Sequence, residues 1–166
     1  GRFQLVNRLE ESVFVGNNRV DLACQPYLGR TDPPGAERLA SFRLDPFPTW
    51  TYAWDRFKLE KTYFLRYGED TGMVTYRLIA GPPVDVEVRP MLSFRDHHGL
   101  GRRDNRFDGK VHASGLDLAV DLPDRDRLHL WATEGHLRVD PLWFDNQFYP
   151  EEEQRGLESV EDVFGP

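Results

Sequence analysis

A chain of 166 residues is one domain's worth of polypeptide, enough to bury one ordinary hydrophobic core. With 39% hydrophobic and 30% charged residues and a mean hydropathy of −0.61, it has the composition of a soluble globular protein, and no apolar run approaches the roughly 18–20 residues that cross a bilayer. The net charge of −7 argues against nucleic acid or anionic membrane as a partner, because both need a basic face. Cys24 is the sole cysteine, which excludes an intrachain disulfide and a multi-cysteine zinc site and fits a reducing cytoplasm. The opening Gly1-Arg2-Phe3-Gln4-Leu5 has neither an initiator methionine nor the apolar core of a signal peptide, so a piece cut from a longer chain is expected.

In chain order, Val13-Phe14-Val15 and Val20-Asp21-Leu22 flank Gly16-Asn17-Asn18, a hairpin signal. Residues 26–49 carry Pro26, Gly29, Pro33, Pro34, Gly35, Pro46 and Pro48, which suits one long irregular excursion with short extended pieces such as 38–44. Strands are predicted at 49–54, 57–67, 72–79 and 84–94, separated by the turn-forming Asp55-Arg56, Gly68-Glu69-Asp70 and Gly81-Pro82-Pro83. Polar and apolar residues alternate in several of them, so each buries one face, and two stacked sheets are the economical way to do so. A polar loop is expected over 95–109. Further strands are predicted at 110–113, 116–122, 128–133 and 136–139, with a tight turn at Glu134-Gly135. Residues 151–164 look helical: Leu157, Val160 and Phe164 recur on one face, three glutamates occupy the first turn, Pro150 stands at the start and Gly165-Pro166 at the end. The expected fold is an all-β antiparallel sandwich with one C-terminal helix.

Arg95-Asp96-His97-His98-Gly99 is the densest group of functional side-chain types. Two adjacent histidines in an extended segment point to opposite faces and chelate poorly, so a metal would need further ligands such as His112, His129 or His136, and no spacing is diagnostic. No metal is expected. Arg95 and Asp96 then form a structural ion pair with the histidines as loop hydrogen-bonders, or the loop faces another domain or a substrate. Glycoside hydrolysis needs two carboxyl groups held across a sugar, and none of the 28 acids stands in a nucleophile or acid motif; Glu151-Glu152-Glu153 is a helix N-terminal charge cluster. Exposed aromatic faces can stack on sugar rings, but core is the favoured reading for Trp50 and Tyr52, and packing of the terminal helix onto a sheet is favoured over sugar stacking for Trp143, Phe144, Phe148 and Tyr149. There is no phosphate-cradling glycine loop and no nucleophile elbow, so neither a cofactor nor a catalytic residue is assigned.

Several segments, in order, resemble one family. They are Asn7-Arg8-Leu9-Glu10-Glu11, Phe42-Arg43-Leu44-Asp45-Pro46-Phe47-Pro48-Thr49-Trp50-Thr51-Tyr52, Leu59-Glu60-Lys61, Val74-Thr75-Tyr76-Arg77-Leu78, Arg89-Pro90, Arg95-Asp96-His97-His98-Gly99-Leu100, and the closing Trp143-Phe144-Asp145-Asn146-Gln147-Phe148-Tyr149-Pro150, Arg155-Gly156-Leu157 and Glu161-Asp162-Val163-Phe164-Gly165-Pro166. Together they look like the amino-terminal domain of bacterial and archaeal glycogen debranching enzymes. The resemblance implies a β supersandwich of the galactose-mutarotase-like type, followed in the family by an α/α helical barrel with amylo-α-1,6-glucosidase activity. The family commonly has Arg-Asp-Tyr-His where this chain has His97 in the tyrosine position. Its opening strand, Arg-Tyr-His-Gly-Leu-Leu-like, has no match here, so residues 1–166 are expected to be a single sandwich domain lacking its first strands, with the barrel downstream.

The resemblance further implies a non-catalytic domain that supports substrate binding and the barrel, whose partners are its own C-terminal catalytic domain and glycogen or a branched α-glucan. Arg89, Arg95, Asp96, His98, Asn146 and Tyr149 are the implied substrate or interdomain contacts, the first four expected as a polar cluster at one sheet edge. The alternatives are a free-standing mutarotase-like sugar epimerase and an independent carbohydrate-binding module.

Overall fold

In the computed structural model, which describes residues 2–103, 109–123 and 126–166, β-strands dominate the chain. They are β1 (Phe3–Val15), β2 (Asn18–Asp21), β3 (Cys24–Tyr27), β4 (Arg30–Pro34), β5 (Leu39–Arg43), β6 (Thr49–Trp54), β7 (Phe57–Leu65), β8 (Gly72–Ala80), β9 (Asp85–Asp96), β10 (Val111–Ser114), β11 (Asp117–Val120), β12 (Leu128–Trp131), β13 (Leu142–Phe148) and β14 (Val160–Gly165). A short α-helix, α1 (Pro150–Gln154), lies between the last two. Among the described residues the strands form three sheets: a seven-stranded one ordered β2-β1-β9-β14-β13-β3-β4, a three-stranded β10-β11-β12 and a four-stranded β5-β6-β7-β8. The all-β antiparallel sandwich expected from the alternation is the observed class. Among the described residues no helix is long and apolar enough to cross a membrane.

The chain divides into two compact units, residues 11–24 with 33–87, and residues 1–10 with 25–32 and 88–166. In the first, the β1–β2 hairpin turns on Gly16, whose φ of 60° suits a residue without Cβ, and pairs Val13 with Val20. Val13 and Leu22 pack against Tyr52 and Leu59 of the four-stranded sheet, with Trp50, Trp54, Tyr76 and Leu78 around them. Tyr52 is core as expected, and Trp50 lies against it. Glu11 is buried in this unit, held by Lys61 Nζ and by the Tyr76 hydroxyl at 2.7 Å.

In the second unit, Leu92 of β9 and Phe164 of β14 are register partners and bury themselves with Val120 under the three-stranded sheet. Val6, Phe94, Val111, Leu128, Leu130 and Trp143 complete this core.

Three expectations fail here. The predicted helix over 151–164 is only five residues long, because Gly156 takes φ 73° and closes a Schellman motif: its N–H donates to the Glu153 carbonyl at 3.0 Å and that of Leu157 to the Glu152 carbonyl at 3.0 Å. Val160 and Phe164 then belong to β14, an interior strand. The aromatics at 143–148 do not dock a helix but form β13, with Trp143 against Phe164 at 5.6 Å. No strand forms at 136–139, and the irregular excursion over 26–49 contains β4 and a 3-10 turn, Gly35–Arg38, besides the extended piece that is β5. The loop expected over 95–109 begins after β9; its residues 104–108 lie outside those described.

Candidate functional site

The implied contact residues fall in the second unit, and what organises them is an acid on β14. The side chain of Glu161 is fully buried. Its Oε1 accepts from Arg95 Nε and from the Gly101 N–H at 3.0 Å; its Oε2 accepts from the Tyr149 hydroxyl at 2.7 Å and from Asn7 Nδ2 at 3.0 Å. Asn7 also donates to the Tyr149 hydroxyl at 2.9 Å. A carboxylate offers about four lone-pair sites, and four donors occupy them, so this group is an anchor and not an available acid or base. Burial and the hydrogen bond to Glu161 push the Tyr149 hydroxyl up to about 12.

The neighbouring Asp162 fastens what Glu161 does not. Its Oδ1 accepts the Asn146 N–H at 2.8 Å and its Oδ2 the Arg103 N–H at 3.0 Å, while its own N–H donates to the Gly101 carbonyl at 2.9 Å. The β13–β14 register slips between Phe144 and Gln147, and Asn146 absorbs the bulge with φ 62°, a conformation asparagine tolerates better than most residues. Opposite Glu161 in register stands Gln147, fully buried, accepting from Arg8, which is also paired with Glu10. Two successive acids on one strand thus fix both the start of the loop after β9 and the end of β13.

Arg95, Asn146 and Tyr149 are therefore brought together, whereas Asp96 and His98 extend beyond them into solvent. Arg95 is only 13% exposed and pairs with Glu161, not with Asp96 as the local pairing suggested. The His98 N–H donates to Asp96 Oδ1 at 3.0 Å and holds that carboxyl below its usual range. His97 and His98 lie in a turn, not an extended segment, so their rings come within 3.7 Å instead of facing opposite ways. Arg89 stands apart, over the Phe144 ring at 5.6 Å and 3.5 Å from Asp140. Since β9 lies between β1 and β14, the group sits at the end of an interior strand and not at a sheet edge. Among the described residues no three His, Cys, Asp or Glu side chains are placed to hold a metal ion.

Sequence reading missed Glu161, Asp162, Asn7, Arg8 and Gln147 as members of this network. Their signal was weak but present: Val160-Glu161-Asp162-Val163-Phe164 sets acids inside an apolar run, which in a strand forces at least one acid toward a partner.

In comparison with known families, residues 1–166 match the family model described as glycogen debranching enzyme N terminal. The chain belongs to that family. No curated protein and no solved structure matches it.

Proposed function

We propose, with that membership as premise, that the chain is the non-catalytic amino-terminal domain of a prokaryotic glycogen debranching enzyme with amylo-α-1,6-glucosidase activity. It works in the cytoplasm beside its own C-terminal catalytic domain and helps that domain hold a branched α-glucan. The observation that carries this reading is the family match over the entire chain. The state of the acids supports the non-catalytic part. Glycosidic hydrolysis needs one carboxyl able to give a proton and a second, ionised one across the sugar, while the buried Glu161 and Glu11 are taken up by neighbouring donors. The contacts proposed for the catalytic domain or the glucan are Arg89, Arg95, Asp96, His98, Asn146 and Tyr149, with Asp96 and His98 as the reaching members because they are exposed and the Glu161 anchor fixes the strand end behind them.

The test is glucose release from a branched limit dextrin. The 166-residue chain alone is expected to release none, and a protein in which this domain is joined to a helical-barrel domain to release it readily. Turnover by the isolated chain near the rate of that larger protein would place the chemistry here and overturn the non-catalytic reading.

A further inference from the structure

Sheet edges among the described residues are short, with one exception. The edge strands β2, β10 and β12 have four residues each, and β4 and β5 have five. β4 also carries Pro33 and Pro34, and β5 breaks its register with β6 between Leu39 and Ser41. Short strands, prolines and bulges keep an edge from pairing with another chain. β8 lacks these defences along most of its length. It runs for nine residues, Gly72-Met73-Val74-Thr75-Tyr76-Arg77-Leu78-Ile79-Ala80, without a proline, and pairs with β7 unbroken from Gly72 to Leu78. Among the described residues β7 is its one strand neighbour. Its single charge, Arg77, is 3.3 Å from Glu60 of β7.

We propose that β8 pairs with β8 of a second copy of this chain, antiparallel and centred on Tyr76, joining two four-stranded sheets into one. The strand is close to a palindrome in side-chain type, and this identifies its occupant. About Tyr76, Thr75 mirrors Arg77, Val74 mirrors Leu78, Met73 mirrors Ile79 and Gly72 mirrors Ala80. A two-fold axis normal to the sheet at Tyr76 sets each residue opposite its mirror, uses the whole strand and keeps the faces of both sheets continuous. Moving the axis by one residue sets Met73 against Arg77 or Thr75 against Ile79, so one register alone matches apolar to apolar and polar to polar. Met73 and Ile79 are 39% and 40% exposed and have apolar surface to lose. Tyr76 and Leu78 already pack on the core of this unit, and Val74 follows the same alternation. Arg77 meets Thr75 of the second copy, so no like charges are directly opposed. Residue pairs that exchange two hydrogen bonds alternate with pairs that exchange none, so about eight bonds join the copies. One strand pair falls below the roughly 1,200 Å² at which stable interfaces begin, which makes the dimer weak and dependent on concentration.

The experiment is sedimentation velocity of the 166-residue chain from micromolar to near-millimolar concentration, with amide hydrogen exchange measured at both ends of that range. A reversible monomer–dimer equilibrium is expected, and the alternate β8 amides turned away from β7 should exchange more slowly at the high end. Thr75→Glu sets a carboxylate opposite Arg77 of the second copy, twice over by symmetry, and should tighten the dimer about three- to tenfold, while Thr75→Lys should loosen it by a similar factor. Thr75 is exposed, so both variants should melt as the wild type does. A monomer at every concentration, a dimer whose β8 amides exchange as in the monomer, or equal dimer constants for the two variants would each overturn the proposal. Protection of the outward β8 amides already at the low end would also overturn it, by placing another segment of the same chain on this edge. Glucose release plays no part in these readouts, so the debranching reading stands or falls separately.

Discussion

Glu161 shows how much one side chain fixes. Glu161→Gln keeps its shape but puts an amide N–H among four donors and leaves Arg95, 13% exposed, without a countercharge. Removing one partner of a buried pair costs about 3–5 kcal/mol, a large part of the roughly 5–15 kcal/mol that holds a domain folded. The expected result is a much lower urea midpoint with an unchanged slope, while Glu69→Gln, at an exposed pair with Arg66, should stay within about 1 kcal/mol. Equal midpoints for Glu161→Gln and wild type would dismiss the anchor. At this scale the sequence was half legible. The motif Asn7-Arg8-Leu9-Glu10-Glu11 stood out, yet Asn7 meets Glu161 and Arg8 meets Gln147 across more than a hundred residues, a pairing no local pattern encodes. Arg95 was singled out for its neighbours, but its partner is Glu161 and not the adjacent Asp96.

At the scale of elements, turn chemistry was the readable part. Gly16-Asn17 marked the first hairpin, and β6 begins and ends where the alternation placed it. The failure at 151–164 has a definite cause: Leu157, Val160 and Phe164 match a helical period, but Gly156 was already a stop signal, and Leu157 beyond it is exposed. Short apolar runs fit either period, so the glycine should have decided. The strands that did form bring tyrosines against acids. Tyr52 is pushed up to about 12 by burial and then by Glu11, Tyr149 to about 12 by burial and then by Glu161, and Tyr76 is raised by burial and Glu11. An unfolded tyrosine titrates near 10. A group whose folded value is higher contributes its stabilisation in full below that pH and loses it as pH climbs from about 10 through 12, because there the unfolded chain has fewer bound protons. Stability should therefore hold from pH 7 to about 9 and fall steeply above 10, with tyrosinate absorbance of the buried rings rising together with loss of the β-sheet signal. Tyr149→Phe should lessen the steepness above pH 10 by removing one such group. Stability that stays level between pH 10 and 12 would contradict the burial of these hydroxyls.

For the whole molecule, each of the two units closes over its own core, and the acids buried in them are spent on structure. The turn after β9 is the place where the anchored network around Glu161 reaches solvent. Arg95→Ala cannot isolate that turn, since it also strips the countercharge from Glu161. Asp96→Asn with His98→Ala can. The asparagine oxygen still accepts the residue-98 N–H, and both side chains are exposed, so the melting temperature of the chain should stay close to that of the wild type. In a debranching enzyme carrying this domain, a contact that positions the catalytic domain or the glucan acts through geometry, and small misplacements of reacting groups cost up to about a hundredfold in rate. Glucose release from limit dextrin by the doubly substituted enzyme should then fall by about ten- to a hundredfold with its melting temperature unchanged. A rate equal to wild type would confine the turn to capping its own strand, and a rate lost in step with the melting temperature would return it to the fold.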